Sequence, residues 1–265
     1  ECQILCESMQ SYKQAHSLDI LQQFWWAITS LMGSPDHENQ PLLWQSDATN
    51  EATIAARDRS HQNLVVLIFS WISKLVTAFH CGHLDAAEDM VAKLEVHKTT
   101  FKGHFIVVWL HFYSGLTFYG LALTAINGSQ QRNNYQQRGD KVQRYFRMLK
   151  NKGYPTALLF LAVLEAERMA LTSNDANKVL QAYKHAIDLS ASNGFVNYEG
   201  FANERACFVL RELGINTRPF FDRAVKCYVD WGAYHKVQII ERDFDSLIAS
   251  ALSEEENMSI VKKFF

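Results

Sequence analysis

Proline is what this sequence most lacks: 4 in 265 residues, with none between Pro41 and Pro155, where an average chain carries ~5%. Glycine is also sparse, at 12 residues, against a usual ~7%. Sandwiches, barrels and doubly wound sheets need turn residues at short, regular intervals. This composition does not supply them, so an all-α fold is expected. Cysteine is limited to 5 residues, Cys2, Cys6, Cys81, Cys207 and Cys227. The count is odd and contains no C-x-x-C, which argues against a disulfide framework and for a reducing, cytoplasmic setting. Charge of one sign is missing too. With 26 basic and 28 acidic residues the net charge is -2, which gives no footprint for nucleic acid or an anionic membrane. No basic-then-apolar leader follows Glu1, so no signal peptide is expected. The absence of an initiator methionine reads as a segment of a longer polypeptide. What is abundant is apolar residues, 48% of the chain, enough to build a core.

Those apolar residues recur at helical spacing. Leu84, Ala87, Val91 and Leu94 fall on one face of a helix, as do Val142, Tyr145, Phe146 and Leu149. Val179, Tyr183 and Ala186 repeat the pattern, and so do Phe221, Ala224, Tyr228 and Trp231. Segments 64–79, 105–126 and 156–171 are apolar nearly all round, as helices buried on several sides are. Between these runs lie short breaks at 81–83, 151–153, 173–175, 192–194 and 214–217, each holding Gly or Asn. Such residues end helices, while Asn174, Asp175 and Thr217 are suited to N-caps. Pro155 and Pro219 sit where a helix tolerates proline, in the first turn. Longer polar stretches at 33–47 and 127–138 read as a surface loop and a connector. About ten or eleven helices joined by short turns predict a TPR-like α-solenoid of antiparallel hairpins.

Tetratricopeptide spacing supports this. Gly82, Leu84, Ala87 and Val91 follow its first half, and Val179, Tyr183 and Ala186 its second, with Ser190 where a proline often stands. Small residues there let two helices approach, and the large one fills the space between hairpins. Ala224 and Tyr228 repeat the small-and-large pair. The stretch 105–126 holds no Asp, Glu, Lys or Arg and is long enough to span a bilayer. His111, Ser114, Thr117, Thr124 and its mid-segment aromatics favour a buried solenoid helix instead.

Particular blocks resemble one family. They are Ala182 to Leu189, Asn193-Gly194-Phe195, Glu199, Ala202-Asn203-Glu204, and the run Ala224 to Ala233 ending Trp231-Gly232-Ala233. Phe118 to Ala125 and Leu164 to Arg168 extend the likeness, which covers most of 17–243. Together they resemble the tetratricopeptide-like helical region of large multidomain signalling proteins of cyanobacteria and algae. In that family a serine/threonine-kinase-like domain and a predicted AAA/STAND ATPase precede the region, and a GAF domain with a histidine kinase or cyclase follows. The resemblance implies a helical-repeat domain over 1–243, with 244–265 leading toward a further domain. It also implies a scaffold or sensor role, with flanking domains of the same polypeptide, and protein or peptide segments, as partners. Two departures stand out: Gly200 where Ala is expected, and a shortened connection at 214–220 containing Pro219. The chain has no G-x-x-x-x-G-K-[ST], no H-R-D or D-F-G set and no histidine-kinase ATP lid. No catalytic residue, cofactor or metal is therefore assigned to it.

The remaining clusters have plain readings beside the functional ones. His80-Cys81-Gly82-His83 lacks the second ligand pair that zinc needs and reads as a helix end. Cys2 and Cys6 supply only half a site, and His16 is the nearest histidine. Glu165 and Glu167 are two apart and so do not share a face; salt bridges suit them better than acid–base work. Glu199 and Asn203 are i, i+4 neighbours. With Glu204 they line a concave groove for a polar or peptide ligand, or else form a buried bracket between hairpins. Trp231 either locks the last helix pair or makes an interdomain contact, and Trp25-Trp26 likewise leaves one ring for a neighbour. The alternatives to the signalling segment are a stand-alone interaction adaptor and a small-molecule-sensing domain of a STAND-type regulator.

Overall fold

A computed structural model describes residues 23–24, 27–28, 30–33 and 61–246, and among them every regular element is helical. Eight helices follow one another: α1 (His61–His80), α2 (Leu84–His97), α3 (Ile106–Thr124), α4 (Gln130–Asn151), α5 (Pro155–Thr172), α6 (Ala176–Ser192), α7 (Val196–Glu212) and α8 (Arg218–Trp231). A ninth helical run, α9, covers 234–246, and residues 23–24, 27–28 and 30–32 are helical as well. Each helix packs on the next, and α3 also packs on both α1 and α5. The expected boundary after 243 falls inside α9, where Phe244 is buried with its ring stacked on Phe221 at 4.1 Å. The Trp25-Trp26 pair, Cys2, Cys6, the loop beyond Gly33 and the chain after 246 lie outside the described residues.

The core is an aromatic seam joining the odd-numbered helices. Phe112 of α3 meets Phe160 of α5 at 4.4 Å, and Tyr198 of α7 packs edge-on to both. Phe79 at the end of α1 meets Phe201 of α7 at 5.6 Å, so an early helix touches a late one directly. The bilayer-length segment is α3, the one described helix long and apolar enough to cross a membrane. Most of it is buried within this core.

Tetratricopeptide-type positions take the places their sizes dictate. Ala87, Val91, Tyr183, Ala186, Ala224 and Tyr228 are all fully buried. Leu84 lies over Gly120 of α3, where a Cβ would sit 3.1 Å from its Cδ1. Gly82 ends the turn after α1 at φ +81, a conformation that costs other residues strain. The glycine at position 200 also acquires a reason. A Cβ on Gly200 would lie 2.9 Å from Cys227 Cβ and 3.3 Å from the Tyr228 ring; the missing methyl lets α8 close on α7. Before α8, Thr217 holds the cap position without a side-chain bond. Asn216 Oδ1 accepts from Arg218 N instead, at 3.2 Å.

One expectation is corrected. Residues 130–138 are not a connector but the first turns of α4. Ser129 caps them, its hydroxyl accepting from Arg132 N at 3.1 Å. Tyr135, Gly139 and Val142 supply a narrow buried stripe, while Tyr135 and Arg138 both bond Glu88 of α2. The polar residues form the solvated face of an amphipathic helix.

Gly139 makes the tightest approach. A Cβ there would stand 2.6 Å from Cε1 of Tyr119, a fully buried ring whose hydroxyl donates to Asp140 Oδ1 at 2.9 Å. Gly139→Ala gains about 1 kcal/mol of helix propensity, but overpacking a rigid core costs about 1–3 kcal/mol. The ring cannot yield without giving up its bond to Asp140. Net destabilisation of about 1 kcal/mol or more is expected in urea unfolding.

Candidate functional site

The carboxylates singled out in the sequence separate into interior and surface groups. Glu167 is 1% exposed and binds the Arg205 guanidinium through two bonds of 2.8 Å. Tyr183 donates its hydroxyl to the same carboxylate at 2.9 Å. Glu165 instead pairs with Arg147 at the surface, and Arg168 turns to Asp140. Glu199 and Asn203 are both buried: Asn203 Nδ2 donates to the Glu199 carbonyl at 2.9 Å, and the Glu199 carboxylate takes Arg223 at 2.5 Å. They share a helix face, as their spacing requires, and that face turns inward toward α8 rather than onto a groove. Glu204 bonds the Tyr228 hydroxyl at 2.5 Å and Lys236 Nζ at 2.7 Å.

Lys236 is itself buried and also donates to the backbone carbonyl of His80. An ammonium at a helix C-terminus is favoured by the unpaired carbonyls and by the helix dipole. This contact ties α9 to the end of α1. Nearby, His235 Nδ1 lies 2.7 Å from the Ser30 carbonyl, and a Cβ on Gly33 would be 3.0 Å from His235 Cβ. The first described segment and the last therefore meet.

His80 is buried beside these contacts. Its Nε2 lies 3.1 Å from Tyr113 Oη, and its Nδ1 has no partner among the described residues. Burial, with Lys236 adding to it, pushes its pKa down to about 3, so the ring is neutral at pH 7. Burial pushes the neighbouring Cys81 thiol up to about 11, so it carries little thiolate. Among the described residues no group of three His, Cys, Asp or Glu is placed to hold a metal.

Two cavities flank this junction. One, of ≈ 400 Å³, runs between the end of α1, α7 and α9, past Glu204, Arg205, Lys236 and Asp243. Three of those charges already pair inside the protein, Arg205 with Glu167 and Lys236 with Glu204. The other, of ≈ 360 Å³, lies between Phe24, Ala27, Ile28, Leu31 and Met32, α1, α3, the start of α7 and the Trp231–Ala233 turn. Its wall is largely apolar and aromatic, with no charged side chain among the described residues. Ser73 of α1 is part of the wall and 3% exposed, and its Oγ is buried without a hydrogen-bond partner. Trp231 stands in the wall with 41% of its surface exposed. Gly232 holds it there by ending α8 in the left-handed region at φ +82, while Ala233 N donates to the Tyr228 carbonyl.

Of the sequence candidates, Trp231 therefore lies in a cavity wall, Glu204 beside the polar cavity, and Glu199 and Asn203 in the interior. Sequence reasoning missed Ser73, Tyr113 and Tyr198. The available signal was the interruption of the apolar run 64–79 by Ser70, Ser73 and Lys74. Comparison of the chain with family models, curated proteins and solved structures finds no match.

Proposed function

We propose that this chain is a non-catalytic, TPR-like α-solenoid segment of a multidomain signal-transduction protein in the cytoplasm. It acts as a scaffold or sensor arm that transmits ligand or partner binding to flanking ATPase or kinase domains. The sequential packing of helix on helix and the small-against-large repeat positions support the solenoid reading. One observation carries the sensor reading: the apolar cavity is walled on one side by Phe24, Ala27, Ile28, Leu31 and Met32 of the first described segment and on another by Trp231 and Ala233, just before α9. A ligand between them favours the closed arrangement by its differential affinity for it, and any domain attached at either end feels that shift. The partners on this reading are the neighbouring domains and protein or peptide segments, not nucleic acid or a bilayer.

A stand-alone adaptor is the second reading, favoured by the exposed Ile28, Met32 and Trp231 at the cavity. Thermal-shift screening of the purified chain against neutral metabolites, followed by amide exchange, separates the two. A compound that raises Tm by several degrees and protects both 23–33 and 234–246 supports the sensor. Tight peptide binding with no such joint protection favours the adaptor. Hydrolase or transferase turnover by the purified chain would overturn the non-catalytic assignment.

A further inference from the structure

We infer that the apolar cavity is a binding site for a neutral small molecule built on an aromatic ring and bearing one hydrogen-bonding group. The inference rests on the sensor reading and names its ligand class. The volume of ≈ 360 Å³ lies at the lower end of the range of small-molecule pockets, ~300–1,000 Å³. Phe24, Trp109, Tyr113, Tyr198 and Trp231 contribute to its wall, and aromatic walls favour a ring by offset or edge contacts. No charged side chain lines it among the described residues. An ionised ligand would lose its hydration and find no counter-charge among these residues.

The hydrogen-bonding requirement comes from Ser73. The residue lines the cavity, and its hydroxyl is buried and unpartnered, so a turn of the side chain could offer it to a ligand. A hydroxyl both donates and accepts, so it can satisfy a ligand hydroxyl, amide or carbonyl. Such a group would compensate the desolvation of the Ser73 hydroxyl. Nearby polar groups narrow the choice little: Tyr113 Oη is engaged with His80, and the Asn197 carboxamide stands at the start of α7 in the same wall.

The test is calorimetric titration of the full chain at pH 7 with p-cresol, toluene and p-toluate. These share one ring and methyl group and differ in polar group and charge. Cresol is expected to bind about tenfold more tightly than toluene, and p-toluate not measurably. Ser73→Ala should abolish the preference for cresol over toluene while leaving toluene affinity unchanged. The same variant should raise the Tm of the unliganded chain, because it removes an unpaired buried hydroxyl. Val76→Trp, at a second position in the wall, should block both neutral probes. Equal binding of p-toluate, or a cresol preference that survives Ser73→Ala, overturns the ligand class. Binding that survives both variants overturns the cavity as the site and leaves the sensor reading standing. No binding by any probe overturns this inference alone. The sensor reading fails separately, if no ligand found by screening protects the two end segments together.

Discussion

Glu167→Ala is expected to lower the stability of the protein by about 3 kcal/mol. The carboxylate is almost wholly buried and receives three donors, two from Arg205 and one from Tyr183. Removing it leaves the guanidinium without its counter-charge and the Tyr183 hydroxyl without the acceptor it donates to. Breaking a buried ion pair from one side costs about 3–5 kcal/mol, because a charge stays behind unpaired. The low end applies here, since the Arg205 side chain is 23% exposed and water screens part of its charge. Urea unfolding should show the midpoint falling with little change in slope. The double variant Glu167→Leu with Arg205→Met should recover most of the loss, since it removes both charges and fills the space with apolar atoms. A single-variant cost below about 1 kcal/mol would mean the pair behaves as a surface salt bridge.

Mild acid should destabilise the protein. His80 is held neutral, with a pKa pushed down to about 3 by burial and by Lys236. His111 is pushed down to about 4, by burial and then by Lys98 and Lys141. In the unfolded chain both return to about 6.5. Below that value the unfolded state takes up protons that the folded state refuses, so stability falls as pH falls. The contribution is complete above about pH 6.5 and is lost progressively toward the folded values. By pH 5 each ring accounts for about 2 kcal/mol, with His111, only part-buried, the smaller of the two. Unfolding free energies measured between pH 7 and pH 5 should drop accordingly. In His80→Gln and in His111→Gln the drop should shrink by roughly half. A flat profile over this range would show both rings to be solvated in the native state.

The helical character was legible because its signals are local. Ala87, Val91, Tyr183 and Ala224 repeat at helical spacing, and glycines at 82, 153, 194, 214 and 232 close helices with positive φ. Burial direction was less legible. That Glu199 and Asn203 share a face follows from a spacing of four; that the face turns toward Arg223 depends on where α8 packs. Residues 130–138 look like a connector because a helix with so narrow a buried stripe carries mostly polar residues. Gly139 and Gly200 weaken their helices when taken alone, and only Tyr119 and Tyr228 pressed against them explain the choice. The cavity was hidden for the same reason. Ser73 shows in the sequence as a polar interruption of an apolar run, while its neighbours come from residues far apart along the chain.

The bond from Lys236 to the His80 carbonyl joins positions 156 residues apart, whereas most helix contacts link neighbours in the chain. Local contacts form early and distant ones late, because long loops must close first. A growing polypeptide can therefore build its hairpins one after another as they emerge. The pocket beside Trp231 must wait until the chain has been made past Ala233. Anything that fits the pocket therefore meets the two ends of the described fold already joined.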